Sequence, residues 1–281
     1  MSRRDGHPPV VLSIAGSDPS GGAGIQGDLK TFSALGGYGC AVITALTAQS
    51  TLGVTGVFAV PAAFVTRQLD TLFADVAIDA VKVGMIADAD IARAVAEAMR
   101  TYRPPLLVVD PVMVATSGDR LLAPEAEEVL RDQLIPLADI ITPNLDEAAS
   151  LLGRPRAQSA EQARAQTLSL QALGAARVLV KGGHLLGAEA TDFLADLNGI
   201  VHEVSAPRLD TMNTHGTGCT LSSAIAVLRP AAPNWLTAVI QAKAYLTASL
   251  QAADRLMIGG TGASGNRYTG HGPVHHFSQI W

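Results

Sequence analysis

The clearest chemical signal in the sequence lies at residues 213–219, which read Asn-Thr-His-Gly-Thr-Gly-Cys. Gly216 and Gly218 let the backbone turn sharply, so that consecutive N–H groups can point at one spot, and the apolar helical stretch that follows adds its positive dipole end. Together they predict a site for an anion, most simply a phosphoryl oxygen in transit. Cys219 falls in the first turn of that helix, where the pKa of a thiol is expected to be lowered. A tight glycine turn beside a small buried cysteine explains the same residues equally well.

A second glycine-rich segment, residues 16–24, follows directly after the first predicted strand. It superficially suggests a dinucleotide fingerprint, but Gly-x-Gly-x-x-Gly is not cleanly present within residues 16–24. It also lacks the Gly-Lys-Ser/Thr ending of a phosphate-binding P-loop. Open α/β sheets place ligands at the carboxyl ends of their strands, which is where this loop falls. Asp28 and Gln49 lie near the ends of neighbouring elements and can aim polar groups at such a ligand. A helix-surface carboxylate and a strand-end amide are their ordinary explanations.

Polar residues also lie at or just after the ends of four other predicted strands, at Lys82, Asp110, Asn144 and Lys181. Because the ends of parallel strands converge on one edge of a sheet, these scattered positions can line one cleft. Asp110 ends an apolar strand, where a buried carboxylate needs a partner such as a cation. Lys181 can meet an anionic phosphate, or it can be a solvated lysine at a strand end.

Two further groups invite a metal interpretation. Asn144 and Glu147 are three residues apart and share one face at the start of a predicted helix, which suits a hydrated metal ion, but Asn at that position is most often a helix N-cap. His275 and His276 do not have the spacing of a closed zinc site, and the chain has only two cysteines. We expect residues 270–277 to form a loop that packs beside the cleft.

These side chains must be positioned by alternating strands and helices. Short β-branched runs alternate with amphipathic stretches, which predicts a mostly parallel sheet with helices on both faces. Several strand runs are apolar at successive positions, as burial on both faces of a sheet requires. The predicted strands are residues 10–15, 40–47, 54–60, 80–83, 106–110, 140–142, 178–181, 191–197 and 200–205. The predicted helices are residues 25–34, 62–73, 88–102, 123–134, 145–152, 160–173, 219–228 and 236–256.

Composition narrows the class of protein. Of 281 residues, 48% are hydrophobic and 16% are charged, which predicts a sizeable core. The net charge of −5 argues against nucleic acid or a membrane surface as a partner, since both need a concentrated basic face.

No apolar run approaches the ~20 residues that cross a membrane. Cys40 and Cys219 cannot form a disulfide framework, so a cytoplasmic location is expected. The first linker-like stretch is 259–272, which favours one domain.

Taken together, these segments resemble the ribokinase-like superfamily, and within it the hydroxymethylpyrimidine/phosphomethylpyrimidine kinases of thiamine biosynthesis. The resemblance is carried, in family order, by residues 15–26, 44–49, 83–85, 110–115, 142–147, 180–184, 213–219 and 270–274. Many superfamily members end the anion-hole motif in Asp, and Cys219 in that place is similar to the pyrimidine-kinase and pyridoxal-kinase branch. Residues 259–269 resemble an insertion before the last motif.

The resemblance implies a single-domain, three-layer α/β sandwich over residues 1–281. It implies ATP-dependent phosphorylation of 4-amino-5-hydroxymethyl-2-methylpyrimidine, and then of the resulting monophosphate. The anion hole would be Gly216, Thr217 and Gly218, with Cys219 as the base. The implied substrate residues are Gln49 on the pyrimidine edge, Asp28 assisting it, Met85 and Val112 packed on the ring, and Gly16. The implied nucleotide residues are Asp110, Asn144, Lys181 and Thr214, with Glu147 and Asp110 organising Mg²⁺. A homodimer is usual for the family, and whether a monovalent cation assists stays open.

Three other activities stay open at this point. A pyridoxal kinase shares the fold and the cysteine-ended motif, although Gln49 and Met85 favour the pyrimidine. A non-catalytic pyrimidine-binding protein would need neither the anion hole nor Lys181 and Asn144. A nicotinamide dehydrogenase would need an acidic residue ~20 positions beyond the glycine loop in a second strand, and the sequence has none there.

Overall fold

The computed structural model describes residues 6–113, 123–259 and 271–281. Its strands are β1 Val10–Ala15, β2 Tyr38–Ile43, β3 Ala45–Ser50, β4 Gly53–Ala59, β5 Ala80–Val83, β6 Leu107–Val109, β7 Ile140–Ile141, β8 Val178–Val180, β9 Glu189–Ala195 and β10 Val201–Pro207. Eight of them form one sheet in the order β10-β9-β8-β7-β6-β5-β1-β2. Pairing is parallel from β2 through β8, and antiparallel only where β9 and β10 extend one edge.

Helices cover both faces of this sheet. Two separate cores result, one on each face. One face carries α1 Gly24–Ala34, α7 Thr217–Leu228 and α8 Trp235–Gln251. The other face carries α2 Ala62–Phe73, α3 Ala89–Tyr102, α4 Pro124–Val129, α5 Leu145–Leu152 and α6 Ala160–Gln171. The predicted three-layer α/β sandwich is confirmed.

Strand β1 shows why the apolar runs predicted this arrangement. Leu12 and Ile14 pack into the core beneath helices α2–α6, whereas Val11 packs into the core beneath α1, α7 and α8. Side chains alternate between the faces of a strand, so a strand with helices on both sides must be apolar at consecutive positions. Strands β5, β6, β7 and β8, which run parallel to β1, are buried at every position in the same way. The carboxyl ends of these parallel strands meet along one edge of the sheet.

The predicted strand over residues 40–47 is wrong in one respect, because the chain breaks it into β2 and β3. Thr44 lies at the break: its N–H donates to the carbonyl of Ala15 at 3.0 Å, and its hydroxyl donates to the carbonyl of Met85 at 2.7 Å. Strand β3 then leaves the central sheet and pairs only with β4 in a two-stranded sheet. Ala45 and Thr47 are buried and Leu46 is exposed, so one face of β3 packs against the rest of the protein and the other faces solvent.

Two predicted helices end differently in the structure. The predicted helix over residues 123–134 is α4 followed by a wider π-helical turn at Leu130–Leu134. The predicted helix over residues 236–256 ends at Gln251 and is followed by a separate 3₁₀ turn at Ala253–Leu256. In the described parts of the chain, no helix is both long enough and apolar enough to span a membrane.

Candidate active site

A cavity of about 750 Å³ opens at the carboxyl edge of the central sheet. Its wall includes residues that directly follow β1, β5, β6, β7 and β8, as the predicted convergence of parallel strand ends requires. Every residue predicted to line the site does line this cavity, with the exceptions of Asp28 and Lys82, which are fully buried. The part of the 110–115 motif beyond Met113 lies outside the described residues.

The predicted anion hole is built at the start of α7. Gly216 is the N-cap residue, with φ +80°, and a Cβ there would lie 1.8 Å from the carbonyl oxygen of Gly22. A side chain is therefore excluded at Gly216 by both backbone conformation and space. Because the N-cap is glycine, no side chain caps the helix. Thr217 and Gly218 form the first turn and line the cavity, so the positive end of α7 opens onto it.

Cys219 also lies in the first turn of α7 and lines the cavity. The predicted direction of its pKa shift is wrong. Burial raises the pKa of the Cys219 thiol to about 11, and the charge of Lys82 offsets only part of that effect. Burial disfavours a thiolate, and the nearby carboxylates of Asp28 and Asp110 act in the same direction. Sequence spacing placed the residue correctly but could not show this burial.

Lys181 joins two carboxylates on the floor of the cavity. Its Nζ lies 2.8 Å from Asp110 Oδ1 and 3.7 Å from Glu147 Oε2. Asp110 also accepts hydrogen bonds from the hydroxyls of Thr142 at 2.9 Å and Ser222 at 3.2 Å. Burial alone would raise the pKa of Asp110, but Lys181 and Lys82 outweigh it and hold that pKa below its ordinary value.

The pKa of Glu147 shifts in the opposite direction from that of Asp110. Burial raises the pKa of Glu147 to about 7, because Lys181 compensates it only partly and Asp110 adds a second negative charge. Asn144 Oδ1 accepts the N–H groups of Asp146 and Glu147, while Glu147 Oε2 accepts the N–H of Asn144 at 2.7 Å, so the two residues form a capping box at the start of α5. Asn144 is therefore the N-cap, and it lines the cavity as well.

The opposite part of the cavity is formed by residues near β1, β3 and β5. Met85 Sδ would lie 2.9 Å from a Cβ at Gly16, so glycine at position 16 lets the Met85 side chain lie against the loop after β1. Gln49, on the inner face of β3, lines the same part, and Thr47 donates a hydrogen bond to its Oε1 at 3.2 Å. Val112 lines the cavity from the segment after β6. This part offers a sulfur, an aliphatic side chain and an amide to a flat ring.

The structure does not bring Asp28 to this cavity. Its carboxylate is fully buried beneath α7 and lies 2.9 Å, at each oxygen, from Nζ of the equally buried Lys82. Hydroxyls of Ser13 and Ser223 donate to the same carboxylate at 2.5 and 2.7 Å. The prediction that Asp28 assists at the substrate is therefore not supported, because its partners occupy both oxygens inside the core.

With this geometry established, comparison with known proteins identifies the family. A sequence model described as phosphomethylpyrimidine kinase matches residues 18–265. The chain belongs to the phosphomethylpyrimidine kinase family. The predicted ribokinase-like resemblance is confirmed.

Relatives in the family are similar over nearly the whole chain. The hydroxymethylpyrimidine/phosphomethylpyrimidine kinase of Salmonella typhimurium is 52% identical over 271 residues, which cover 96% of this chain and 98% of that protein. The thiamine biosynthesis bifunctional protein ThiED of Geobacter sulfurreducens is 46% identical over 266 residues, covering 95% of this chain and 52% of that protein. The solved pyridoxal kinase of Staphylococcus aureus, in complex with AMP-PCP and pyridoxal, is 29% identical with a TM-score of 0.84, covering 97% of this chain and 95% of that one.

This member of the family joins its two glycine-rich segments through a buried pair that the sequence did not reveal. His215 Nε2 lies 2.7 Å from Asp18 Oδ2. The hydrogen bond from His215, together with Ser20 and backbone N–H groups, lowers the pKa of Asp18 to about 2 despite its burial. The pair spans 197 positions of the chain, so no local pattern indicates it.

The Asp18 carboxylate also occupies backbone donors in the loop after β1. Residues 22–27 have the glycine spacing of a dinucleotide fingerprint. The N–H groups of Gly22 and Ala23 nevertheless donate to Asp18 Oδ2, at 3.1 and 2.8 Å. Donors that Asp18 occupies are not available to a pyrophosphate, so the glycine spacing here does not make a dinucleotide site.

A second buried pair that sequence reasoning missed lies at the far end of the cavity. Lys243 on α8 contacts Asp192 on β9 at 2.7 Å, and both residues line the cavity. Asp192 Oδ1 also accepts the N–H of Gly182 at 3.0 Å, which attaches the loop after β8 to β9. The predicted nucleotide residue Thr214 lines the cavity as well, and its hydroxyl lies 3.3 Å from Nδ1 of His271.

His275 and His276, near the carboxyl terminus, make packing and hydrogen-bond contacts within the fold. His276 Nε2 lies 3.1 Å from the hydroxyl of Thr220, one residue after Cys219, and burial lowers the pKa of His276 to about 3. His275 packs against the ring of Trp281. The segment attaches beside the anion hole, because the N–H of His215 donates to the carbonyl of Gly272 at 3.0 Å. Most of the insertion at 259–269 lies outside the described residues.

Proposed function

We propose that this chain transfers the γ-phosphoryl group of ATP to the hydroxymethyl group of 4-amino-5-hydroxymethyl-2-methylpyrimidine, and in a second reaction to the resulting monophosphate, in thiamine biosynthesis. The observation that carries the proposal is the position of the anion hole. Gly216, Thr217 and Gly218 lie between a ring-sized acceptor region near β1, β3 and β5 and a second region near β8, β9 and α8. The family membership and the names of the relatives support the same activity.

The acceptor region suits a pyrimidine. In this proposal the Gln49 amide, which carries both a donor and an acceptor, hydrogen-bonds to the ring edge. Met85 and Val112, which both line the cavity, would pack on the ring, and Gly16 lets the Met85 side chain lie beside it. The hydroxymethyl group then points at the start of α7.

The reaction is an in-line displacement at phosphorus. The acceptor oxygen forms a bond to the γ-phosphorus, the bond from that phosphorus to the β–γ bridging oxygen breaks, and ADP leaves with that oxygen. The N–H groups at the start of α7 and the ammonium of Lys181 stabilise the charge on the transferred group. Catalysis of this kind depends on positioning and charge more than on covalent chemistry.

Cys219 takes the proton of the acceptor hydroxyl in this proposal. Since burial raises the pKa of its thiol to about 11, only a small fraction is thiolate at pH 7. The ionised form is supported by two buried ammonium groups, Lys82 and Lys181, whose charges act on Cys219. We infer that proton transfer to Cys219 limits the rate at neutral pH.

The carboxylates present fit a magnesium ion that arrives with ATP. Among the described residues, no group of three His, Cys, Asp or Glu side chains could enclose a metal ion. Mg²⁺ is typically held by one or two carboxylates together with phosphates and water, and Glu147 and Asp110 supply two such carboxylates on the cavity floor. When bound there, the ion would neutralise charge on the β- and γ-phosphates. Asn144 and Thr214 would contact the same polyphosphate.

We further propose that residues 1–281 act as one kinase domain in the cytoplasm and assemble as a homodimer. Support for the dimer comes from the outer face of the β3–β4 sheet, where Leu46 and Phe58 are cross-strand partners and are 48% and 66% exposed. Adjacent exposed apolar side chains can form part of a contiguous patch, and such patches mark interaction surfaces. Sedimentation of the wild type beside Phe58→Glu measures this, and a monomeric wild type contradicts it.

The test of the proposed function is a paired assay of the purified chain with ATP, Mg²⁺ and the pyrimidine alcohol. We expect ADP release, with the monophosphate and then the diphosphate detected by mass spectrometry. Cys219→Ala should lose most of the turnover, while Cys40→Ala, the other free cysteine of the chain, should retain it. An alanine variant at position 219 that matches the wild type would contradict the assigned base. No ADP release at all would favour a non-catalytic binding protein.

A pyridoxal kinase is the second candidate, because the solved pyridoxal kinase of Staphylococcus aureus has the same fold and holds both AMP-PCP and pyridoxal. The same assay with pyridoxal in place of the pyrimidine decides between them. We expect a higher kcat/KM for the pyrimidine. A higher kcat/KM for pyridoxal would contradict the thiamine assignment and leave the kinase assignment intact.

A further inference from the structure

Arg208 follows the edge strand β10 and lines the far end of the cavity. It faces the loop 181–188, which connects β8 to β9. Gly183 and His184 of that loop line the same part of the cavity. Arg208 belongs to none of the sequence motifs, and the proposed reaction does not use it.

The guanidinium of Arg208 is enclosed by carbonyl oxygens of this one loop and of the strand that follows it. Nε donates to the carbonyl of Gly187 at 2.8 Å, and Nη1 donates to that of Gly183 at 2.5 Å. Nη2 donates to the carbonyls of Leu185 at 2.5 Å and Glu189 at 3.1 Å. The backbone N–H of Arg208 adds a fifth bond, to the carbonyl of Ala188 at 2.9 Å.

Only a guanidinium can make this set of contacts. Its donors spread in a rigid plane and reach carbonyls in several directions, whereas a lysine ammonium donates from one nitrogen and a glutamine has a single NH₂ group. The start of the loop is held independently, because Lys181 N–H donates to the carbonyl of Pro143 at 2.8 Å and Gly182 N–H donates to Asp192. From residue 183 onward the other contacts are fewer: Leu185 packs on the core and its N–H donates to the carbonyl of Gly182, and an Arg156 nitrogen lies 3.4 Å from the carbonyl of His184. Arg208 therefore supplies most of the hydrogen bonds that hold residues 183–188.

The region that this loop borders is the end of the cavity opposite the acceptor. It is bounded by β8, β9, β10 and α8, and its apolar lining is Ala190, Ala206, Leu209, Leu246 and Leu250. A flat heterocycle fits between aliphatic side chains of this kind, and phosphates attached to it would extend to Lys181 and the start of α7. On the proposed function, this end takes the nucleoside of ATP.

We propose that Arg208 is a positioning residue for the nucleotide: it holds the loop 181–188 in the shape that binds the nucleoside, without itself taking part in the chemistry. A loop that is already ordered binds its ligand without the loss of backbone entropy that a loose loop would suffer. Arg208 itself is exposed, so its removal should loosen the loop and leave the core intact.

The test is equilibrium binding of AMP-PCP with Mg²⁺, measured by calorimetry on the full chain. Arg208→Gln should weaken this binding by about tenfold or more, and Arg208→Lys by less. Binding of the pyrimidine alcohol, which contacts the other end of the cavity, should be unchanged in both. Arg164→Gln is the matched control, because Arg164 is an exposed arginine that bonds Glu203 on the same edge strand outside the cavity.

The outcomes separate this proposal from the proposed function, on which it rests for the identity of the ligand. Unchanged AMP-PCP affinity in Arg208→Gln would overturn it. An equal loss of affinity for AMP-PCP and pyrimidine would also overturn it, since that result indicates a general structural role. If the chain binds AMP-PCP but phosphorylates no pyrimidine, the proposed function fails while the role of Arg208 is still measured.

Discussion

Two buried lysine–aspartate pairs lie beneath helix α7, and they differ in what surrounds them. Lys82 contacts both oxygens of Asp28 at 2.9 Å, and neither side chain has any exposed surface. Lys181 contacts one oxygen of Asp110 at 2.8 Å, remains 14% exposed, and also faces Glu147. Adjacent residues of α7 serve the two pairs: Ser223 donates to Asp28 and Ser222 to Asp110.

On the proposed function, the same two residue types are structural in one place and functional in another. The Lys82–Asp28 pair is closed, because Ser13 and Ser223 supply the remaining donors and no face is left for a ligand. The Lys181–Asp110 pair lines the cavity, so in this proposal its ammonium contacts a phosphate. We propose that openness to the cavity, and not burial or charge, separates the two pairs.

Removing one member of the closed pair should have the largest effect on stability. Lys82→Met leaves the buried Asp28 carboxylate without its counter-charge, which typically costs about 3–5 kcal/mol in the free energy of unfolding. The double variant Asp28→Asn/Lys82→Met removes both charges and should recover most of that loss. Urea denaturation measures both. A single variant as stable as the wild type would show that the pair is not a buried ion pair in solution.

Removing the ammonium of the open pair should instead affect the rate. Lys181→Met deletes a charge that stabilises the transferred phosphoryl group, and a loss of about 10²–10³ in kcat is expected. Circular dichroism should show the fold retained, since Asp110 lines the cavity, where solvent can replace the lost ammonium, whereas Asp28 has no such access. If kcat changes less than fivefold, Lys181 does not act on the transition state.

The pH dependence of the rate tests how the two pairs act on Cys219. With the pKa of the thiol raised to about 11, the thiolate fraction grows tenfold per pH unit below that value, so kcat should rise by about 10²-fold between pH 7 and pH 9. Cys219→Ala should abolish this rise. A flat wild-type profile over that range would contradict proton transfer to Cys219 as the limiting step.

Substitution of Ser222 or Ser223 should have the smallest effect on stability. The two variants are closely matched, because these adjacent serines of α7 donate to the two aspartates. Ser223→Ala removes a buried hydrogen bond to a charged carboxylate, so the free energy of unfolding should fall by about 1.5–3 kcal/mol. Ser222→Ala should cost less, because the single hydroxyl proton of Ser222 is divided between Asp110 and the carbonyls of Gly218 and Cys219. Equal losses measured by denaturation would mean that the two aspartates depend equally on α7.

The sequence placed both members of the open pair at the cavity, although it did not predict their contact with each other, and it misjudged the closed pair for a physical reason. Lys181 and Asp110 end apolar strands of a parallel sheet, and such ends must meet at one edge, so their convergence follows from the pattern alone. Asp28 lies within a helix, and whether its carboxylate faces a ligand or a buried lysine depends on Lys82, 54 positions away. No local spacing carries that information.

The same limit explains the other differences. Cys219 was placed correctly at the start of α7, but its pKa depends on burial by distant elements, which reverses the effect of the helix end. The Asp18–His215 pair and the cage around Arg208 join segments that are remote in sequence. The break between β2 and β3 at Thr44 depends on contacts with Ala15 and Met85. Periodicity predicted the layers, and long-range contacts decided these details.

The central claim is that openness to the cavity separates the functional pair from the structural one. The most direct test compares kcat of two variants, Lys181→Met and Asp28→Asn/Lys82→Met. Both are measured with saturating ATP and saturating pyrimidine alcohol. Lys82 and Asp28 act on the Cys219 thiol with opposite signs, so removing both should leave kcat within about tenfold of the wild type, whereas Lys181→Met should fall by about 10²–10³. Equal losses in the two variants, or a larger loss in the double variant, would contradict the account.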